Sequence, residues 1–597
     1  MLCYAFFAMS NLEIAKLFRN VADSYTIKDE KKFHFQIAAY QKAADSIFNL
    51  TEELRDYYNE GRLNELPGIG NTIKSHLIEL FKKGSVTHFE WVLRDIPKSV
   101  FVLTDIPSFG PKRAYKLVRQ FKLNDASTVI EKLERIATED KISKLEGFGE
   151  KSQSDILRAI TEFKQGKGKT TRMTLPYAFE VSEKIISYLK KCPDVDRAEA
   201  LGSLRRRSPT VGDIDVAVAA KNPKTVIKYF VNYPHKERVI EKGDVSSSLL
   251  VSGGRQVDLL IQPAEAFGSL LQHFTGSKNH NVALREFALK KKLSLSEYGI
   301  KNLKIKNTPL QKYSSEEKFY NAIGLDFIPP EIRENQGEVE LSAMHNLPRL
   351  VDLSDLKGDL HIHSNYPIEP SHDLGQDSFE NMLAKAKELN YEYLGFSEHN
   401  PSQAKHTNQK IYEILQKRDD KLEKIKSNNK SARIFKLLEI DILPNGNLAI
   451  DDRSLDLLDA AVVSIHSVFS MGKEEMTKRV LEGLSHKKVK ILAHPTGRLL
   501  GERAGFEIDW NKIFEFCKKN NKALEINSQP KRLDLSDNVI KLAVDFGVKM
   551  VIDSDSHTAN QMTMQKYGVF MARRGWAQNS DILNTLSYNK FSDWLNK

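Results

Sequence analysis

The stretch "LKGDLHIHSN", residues 356–365, closes a short apolar run with two histidines one residue apart. Alternate side chains of a strand share a face, so His361 and His363 point the same way. The figure recurs downstream. "YLGFSEH" ends at His399, "IFKLLEID" carries Glu439 near its end, "AAVVSIH" ends at His466, "VKILAHP" carries His494, and "VKMVIDSDSH" closes on Asp555 and His557. Between these runs lie helical stretches, and that alternation is the signature of βα repeats. When parallel strands close into a barrel, their C-terminal ends converge on one face, where active sites are built. Polar groups repeated at strand ends are costly to bury without partners. Imidazoles mixed with carboxylates suit Zn²⁺, Mn²⁺ or Fe²⁺. The histidine pair therefore reads as part of a metal cluster.

Upstream, "AEALGSLRRRSPTVGDIDVAVAA" holds a different set of acids. The alternation in "DIDVAVAA" puts Asp213 and Asp215 on one face of a strand. Two carboxylates so close repel unless a divalent cation neutralises them. Asp258, in the strand-like run "GRQVDLLIQP", can join them across a sheet. The turn at Gly202-Ser203 lets backbone amides approach a polyphosphate, which Arg205, Arg206 and Arg207 can neutralise. A lone D-x-D pair is weak evidence. The full set, a Gly-Ser turn, then D-x-D, then a further strand Asp, is specific for a metal site.

At the front, "ELPGIGNTIKSHLIEL", "DIPSFGPKRAYKLVRQF" and "KLEGFGEKSQSDILRAI" repeat one pattern, with Gly70, Gly110 and Gly149 spaced 40 and 39 residues apart. Each is a glycine turn opening into a helix, which exposes backbone N–H groups where a phosphate can dock without a base being read. The three resemble helix-hairpin-helix elements, which bind the DNA backbone. The DNA-contacting positions are Gly68 and Gly70 in the first and Ser108 at the place of Gly68 in the second. "FKQGKGKTTR", 163–172, reads as a hinge, and "FIPPEIRENQGEVE", 327–340, as a Pro- and charge-rich connection.

The whole chain, 597 residues, is too long for one core, so several domains are expected. Lys and Arg outnumber Asp and Glu by 89 to 79, an excess that suits a polyanionic partner. Cys3, Cys192 and Cys517 are scattered, which argues against a disulfide framework. No apolar run reaches the length of a membrane span, and "MLCYAFFA" lacks the basic start of a signal peptide, so Met9 reads as the true start. A soluble, cytoplasmic monomer without membrane contact is expected.

The middle resembles the nucleotidyltransferase palm of family X DNA polymerases, and "HFTGSKNHNVALRE", 273–286, resembles that family's thumb motif. The resemblance implies two Mg²⁺ or Mn²⁺ ions bridged by Asp213 and Asp215, with Asp258 on the ion at the primer terminus and accepting the hydroxyl proton. It places Arg172, Gly202, Ser203, Arg206 and Gly212 at the triphosphate. Phe274, Gly276 and Asn281 would line the incoming nucleotide, and Arg285 would lie near the template. Two positions depart from the family. His273 stands where a Tyr is common, which bears on ribonucleotide discrimination. His76 stands where lyase-active members carry a Schiff-base lysine. Lys74 is about 200° away around the helix, so 5′-deoxyribose-phosphate lyase activity is expected to be weak or absent.

The back resembles the PHP domain, a distorted βα barrel with three metals, supported by "AHPTGRLLGER", "ALEINSQPKRLDLS" and "YGVFMARRGW". By resemblance, His361, His363, Glu439 and Asp555 hold one metal (Mn²⁺, Zn²⁺ or Fe²⁺). Glu439 bridges to a second with His466 and His494, and His399 with His557 serve a third. The family's Asp after the His pair falls in a longer loop here, which offers Asp373 or His372, and Asp373 is favoured. Palm followed by PHP resembles the bacterial and archaeal PolX enzymes. The implied architecture is multidomain: a helical helix-hairpin-helix region, an α+β palm and thumb, and a TIM-like PHP barrel. The expected domains are 9–90 (first helix-hairpin-helix), 91–168 (fingers-like), 169–265 (palm), 266–330 (thumb), 331–355 (linker) and 356–597 (PHP). The implied function is gap filling in base excision repair on primer-template DNA with deoxynucleoside triphosphates, with 3′–5′ exonuclease and abasic-site endonuclease chemistry in the barrel. The alternative is a polymerase whose barrel is structural or cleaves a small phosphoester.

Overall fold

The structure is a computed structural model that describes residues 9, 11–48, 50, 54–66, 69–106, 109–164, 172–251, 255–305, 307–429 and 433–597. Gly68, Ser108 and most of the expected hinge at 163–172 lie outside the described residues. The chain forms two compact units: 1–201, 211–267 and 501–503 in the first, and 202–210, 268–500 and 504–597 in the second.

The first unit begins with helices. The helix Asn71–Lys83 buries Ile73, Leu77, Leu80 and Phe81, the one-faced spacing of an amphipathic helix. Gly70 caps it in extended conformation with no side-chain cap, and Gly110 does the same for Pro111–Gln120, where proline occupies the first turn. Both helices thus begin with first-turn N–H groups that no capping side chain satisfies.

The same unit holds a five-stranded sheet in the order Val195–Ala200, Ile214–Ala220, Arg255–Gln262, Ser246–Val251, Lys236–Lys242. Its second and third strands run parallel and the other pairs antiparallel. Val216–Ala220 are buried at every position, as befits a central strand packed against helix Leu175–Leu189.

In the second unit, helices Phe267–Thr275, Lys278–Lys290 and Glu316–Ala322 and the hairpin Leu293–Ser296/Gly299–Asn302 form the thumb. Residues 331–355, expected as a linker, do not hang free. Ile332 and Val339 enter the thumb core beside Phe319 and Tyr320, and so does Trp576 from the far end of the chain. The fully buried Arg333 reaches Glu316 at 2.6 Å and the carbonyl of Ile328 at 2.7 and 2.9 Å, so its charge is paired and the connection is locked down.

The barrel strands are all parallel and lie in two arcs: Gly358–Ile362, Tyr393–Phe396, Ile434–Lys436, then Glu439–Asp441, Ala461–Ser464, Val489–Leu492, Ala523–Asn527, Lys549–Asp553. The run "IFKLLEID" is broken at Leu437-Leu438, so its first half pairs backward and its second half forward. A parallel bridge His399↔Glu439 spans that break, and Ile362↔Ser556 closes the ring. Helices cover the outside, as parallel strands require. Among the described residues no helix is long and apolar enough to cross a membrane.

Candidate active sites

In the palm sheet, the strand of Asp215 runs parallel to that of Asp258, and these two residues are direct register partners. Neighbours in register share a face. Asp213 immediately precedes the strand, which starts at Ile214. Burial, and then the charges of Asp213 and Asp258, push the Asp215 carboxyl up to about 6. Asp258 accepts hydrogen bonds from the Ser248 hydroxyl and from the Gln256 amide, the latter at 2.9 and 3.1 Å. A Cβ on Gly212 would lie 3.1 Å from the Arg172 guanidinium, so glycine lets that cation approach the backbone beside Asp213. Acids held this close repel one another, and a divalent cation would relieve that repulsion.

The second unit carries Gly202 and Ser203 in the short helix Gly202–Arg205, with Gly202 in the left-handed region at φ 59°. Arg206 donates from Nε to Glu334 at 3.0 Å and from Nη1 to the carbonyl of Thr275 at 2.5 Å. A Cβ on Gly276 would crowd this guanidinium at 3.2 Å. Asn281 is held between Gln272 and the carbonyl of His273, both at 2.8 Å, and Phe274 is exposed. Arg285 meets His273 Nδ1 at 3.4 Å. In the helical region, His76 accepts or donates to the Tyr40 hydroxyl at 2.9 Å and stacks on His88, while Lys74 turns to Asn64.

Glu439 is the hub of the barrel site. Its two oxygens lie 2.9–3.5 Å from five imidazoles: His361, His363, His399, His466 and His494. Burial alone would raise this carboxyl, but His399, His361 and His466 outweigh it and hold it well below the usual range. Asp555 lies 3.4 Å from His363 and 3.7 Å from His361. Asp373 joins His399 at 3.0 Å and His557 at 3.1 Å, whereas His372 turns to Asp441 at 3.0 Å. Gly375 permits this loop, since a Cβ there would overlap the carbonyl of His363. His494 and Asp555 sit at φ 27° and 52°, strain typical of residues fixed by function.

The donor set fits metal ions. His363 Nδ1 and His494 Nδ1 are buried without a hydrogen-bond partner, and such orphans are costly. Burial pushes His363 and His494 down to about 3, so both imidazoles are neutral and ready to ligate. The triplets His361–His363–Glu439, His363–His399–His557 and His399–Glu439–His466 each bring their ligand atoms within 4.8 Å of one another.

Sequence reasoning missed the groups behind these ligands. Glu525 accepts a hydrogen bond from His361 Nδ1 at 2.6 Å, and Asp441 accepts one from His466 Nδ1 at 2.7 Å, which leaves each Nε2 to face a metal. Glu525 lies in the apolar run "ALEIN", where a lone acid was the available signal. Beneath the ligands, Arg418 pairs with Glu398 at 2.7 Å, fully buried.

A nucleotidyltransferase palm with its thumb, joined to a metal-binding phosphoesterase barrel, is the class these sites define. A DNA polymerase beta thumb family matches residues 270–334, and a helix-hairpin-helix domain family matches residues 9–86. The chain is 32% identical over 591 residues to the DNA polymerase/3′-5′ exonuclease PolX of Bacillus subtilis (strain 168), across 99% of this chain and 100% of that protein. It therefore belongs to the PolX family of DNA polymerases. It is also 20% identical over 352 residues to DNA polymerase lambda of Rattus norvegicus, covering 54% of this chain and 56% of that one. A "Probable phosphatase" of Syntrophotalea carbinolica is 24% identical over 213 residues, which is 34% of this chain and 81% of that protein.

Proposed function

We propose that this chain fills short gaps in DNA at the palm and removes 3′-terminal nucleotides in the barrel. The observation that carries the first half is the register pair Asp215–Asp258 with Asp213 beside it. Two Mg²⁺ or Mn²⁺ ions held there would acidify the primer hydroxyl and neutralise the phosphates. Asp258, oriented by Ser248 and Gln256, accepts the hydroxyl proton. Arg206, Ser203 and Arg172 bind the triphosphate, Phe274, Gly276 and Asn281 shape the nucleotide pocket, and Arg285 faces the template. The glycine turns at Gly70 and Gly110 grip the DNA backbone through uncapped helix N-termini.

In the barrel, His361, His363, Glu439 and Asp555 would hold one cation, Glu439, His466 and His494 a second, and Asp373, His399 and His557 a third. Mn²⁺, Zn²⁺ or Fe²⁺ bound there would activate water against a phosphodiester. Glu525 and Asp441 fix the ring orientation of their histidines.

The test uses a primer-template with a 5′-phosphorylated gap, Mn²⁺ and limiting deoxynucleotides. Wild type extends and trims, Asp215→Ala only trims, and His494→Ala only extends. Trimming that survives His494→Ala removes the nuclease from the barrel. The second reading, a barrel acting on a small phosphoester, is favoured by the phosphatase-like relative, and trimming that is absent while a small phosphomonoester is cleaved would select it.

A further inference from the structure

The motif "YGVFMARRGW", 567–576, begins ten residues after His557, yet none of its residues is among the barrel ligands. Its helix, Gln565–Arg574, ends on two arginines. Arg574 is nearly buried, and its anchors are on its own side of the barrel, where Asp537 accepts from Nη2 and Nε at 2.6 and 2.8 Å. Its Nη1 reaches out of the barrel. It donates to the main-chain carbonyl of Arg206 at 2.7 Å and to Glu334 Oε1 at 3.0 Å. That same Glu334 oxygen accepts from Arg206 Nε at 3.0 Å. One carboxylate is thus shared by two guanidinium groups, one from the segment 202–210 and one from the barrel. Next to it, Arg207 stacks over Phe570 at 4.4 Å, and Arg573 pairs with Glu331 at 2.8 Å.

These contacts fix Arg206 at both ends. Its carbonyl is pinned by Arg574 directly, and its Nε edge by the Glu334 that Arg574 holds. Nη2 of Arg206 has no protein partner among the described residues, which leaves that edge for an incoming anion. An arginine is a flexible cation whose ordering costs entropy. Holding it in place beforehand removes that cost from ligand binding.

We infer that Arg574 is a positioning residue for the nucleotide site: the barrel supplies the cation that preorganises Arg206 for the triphosphate. The inference rests on the proposed role of Arg206. It makes the barrel part of the polymerase in a sense independent of its own metals, and it gives a physical reason for the two activities to share one chain.

Single-nucleotide gap insertion by the full-length protein tests it, with trimming in the absence of nucleotides measured in parallel. Arg574→Met keeps the length of the side chain and removes its donors. It is expected to raise KM for the deoxynucleotide roughly five- to twentyfold, with kcat and trimming changed by less than about twofold. Arg574→Lys, which can reach one acceptor but not both, recovers part of the loss. Arg206→Ala raises KM at least as much, and adding Arg574→Met to it changes nothing further. An unchanged KM in Arg574→Met beside a raised KM in Arg206→Ala overturns the inference and leaves the triphosphate reading standing. An unchanged KM in Arg206→Ala overturns that reading itself. Equal loss of insertion and trimming with a lowered melting temperature would make Arg574 merely structural and also overturn the inference.

Discussion

Replacing Arg418 by alanine should unfasten the barrel at the place where its sheet is split. Arg418 projects from helix Asn408–Asn428 and is fully buried. It donates from Nε to Glu398 at 2.7 Å, and from Nη2 to the carbonyls of Phe396 at 2.7 Å and Leu437 at 2.9 Å. Those acceptors lie just before His399 and Glu439, the two ligands that face each other across the break. Arg418→Ala leaves the buried Glu398 carboxylate without its counter-charge, held only by Ser364, and takes one donor from each carbonyl, a cost of about 3–5 kcal/mol. Domain stabilities are only about 5–15 kcal/mol. With a urea dependence of about 3 kcal/mol/M for a domain of this size, the midpoint falls by about 1–1.7 M. Tryptophan fluorescence follows the right part of the molecule, because Trp510, Trp576 and Trp594, three of the four tryptophans, lie in the barrel half. Trimming should be lost and insertion retained. The double variant Arg418→Met/Glu398→Gln removes the stranded charge and should regain about 2 kcal/mol over Arg418→Ala. A midpoint shift under about 0.3 M, or a double variant no more stable than the single, would refute the argument that this pair is desolvated and locks the strand ends.

Other outcomes follow from the same geometry. The Asp215 carboxyl sits near 6 in the metal-free protein, against about 3.9 in an unfolded chain. The native state then binds the extra proton between those values, and metal-free stability falls as pH rises through that window. Mg²⁺ binding at the palm should release protons at pH near 6 and almost none near 8, read by calorimetry in two buffers as the difference between wild type and Asp215→Asn; equal release at both pH values would count against it. Glu439→Gln withdraws the carboxylate shared by five imidazoles, so metal per chain by elemental analysis should drop and trimming should vanish while insertion persists. Borohydride should trap no covalent adduct with a 5′-deoxyribose-phosphate end, since His76 is engaged by Tyr40 and Lys74 by Asn64; a trapped adduct lost in Lys74→Ala would show that the lysine swings in.

Much of the candidate chemistry was legible in the chain. The strand-end pattern of His361, His363, His399, Glu439, His466, His494, Asp555 and His557 is local, because a ligand that closes a β-strand must directly follow apolar residues. The D-x-D pair and the glycine turns are local too, because each is set by neighbouring residues where a strand or helix begins. What supports these residues comes from elsewhere in the sequence. Glu525 is 164 positions from the His361 it orients, and Asp441 is 25 from His466. Nothing in the spacing of a lone acid in "ALEIN" tells which imidazole it will meet.

The loop after His363 shows the division most plainly. The sequence offered both His372 and Asp373, adjacent and chemically able; the fold turns Asp373 onto His399 and His557 and His372 onto Asp441. Adjacent residues on an irregular loop have no fixed periodicity, so only the fold shows that both side chains meet the imidazole cluster, Asp373 at His399 and His557 and His372 at Asp441 beside His466. The same holds for the segment 327–340, whose Pro- and charge-rich composition reads as a connection. Two of its charges are paired inside the thumb, Arg333 with Glu316 and Glu338 with His280, each at 2.6 Å. Sequence by itself determined which chemical groups lie at strand ends and turns, since local periodicity dictates that. Tertiary structure alone decided which of them are paired, oriented or joined across the chain, as with Arg574 and Arg206, because those partners are brought together only by burial of the core.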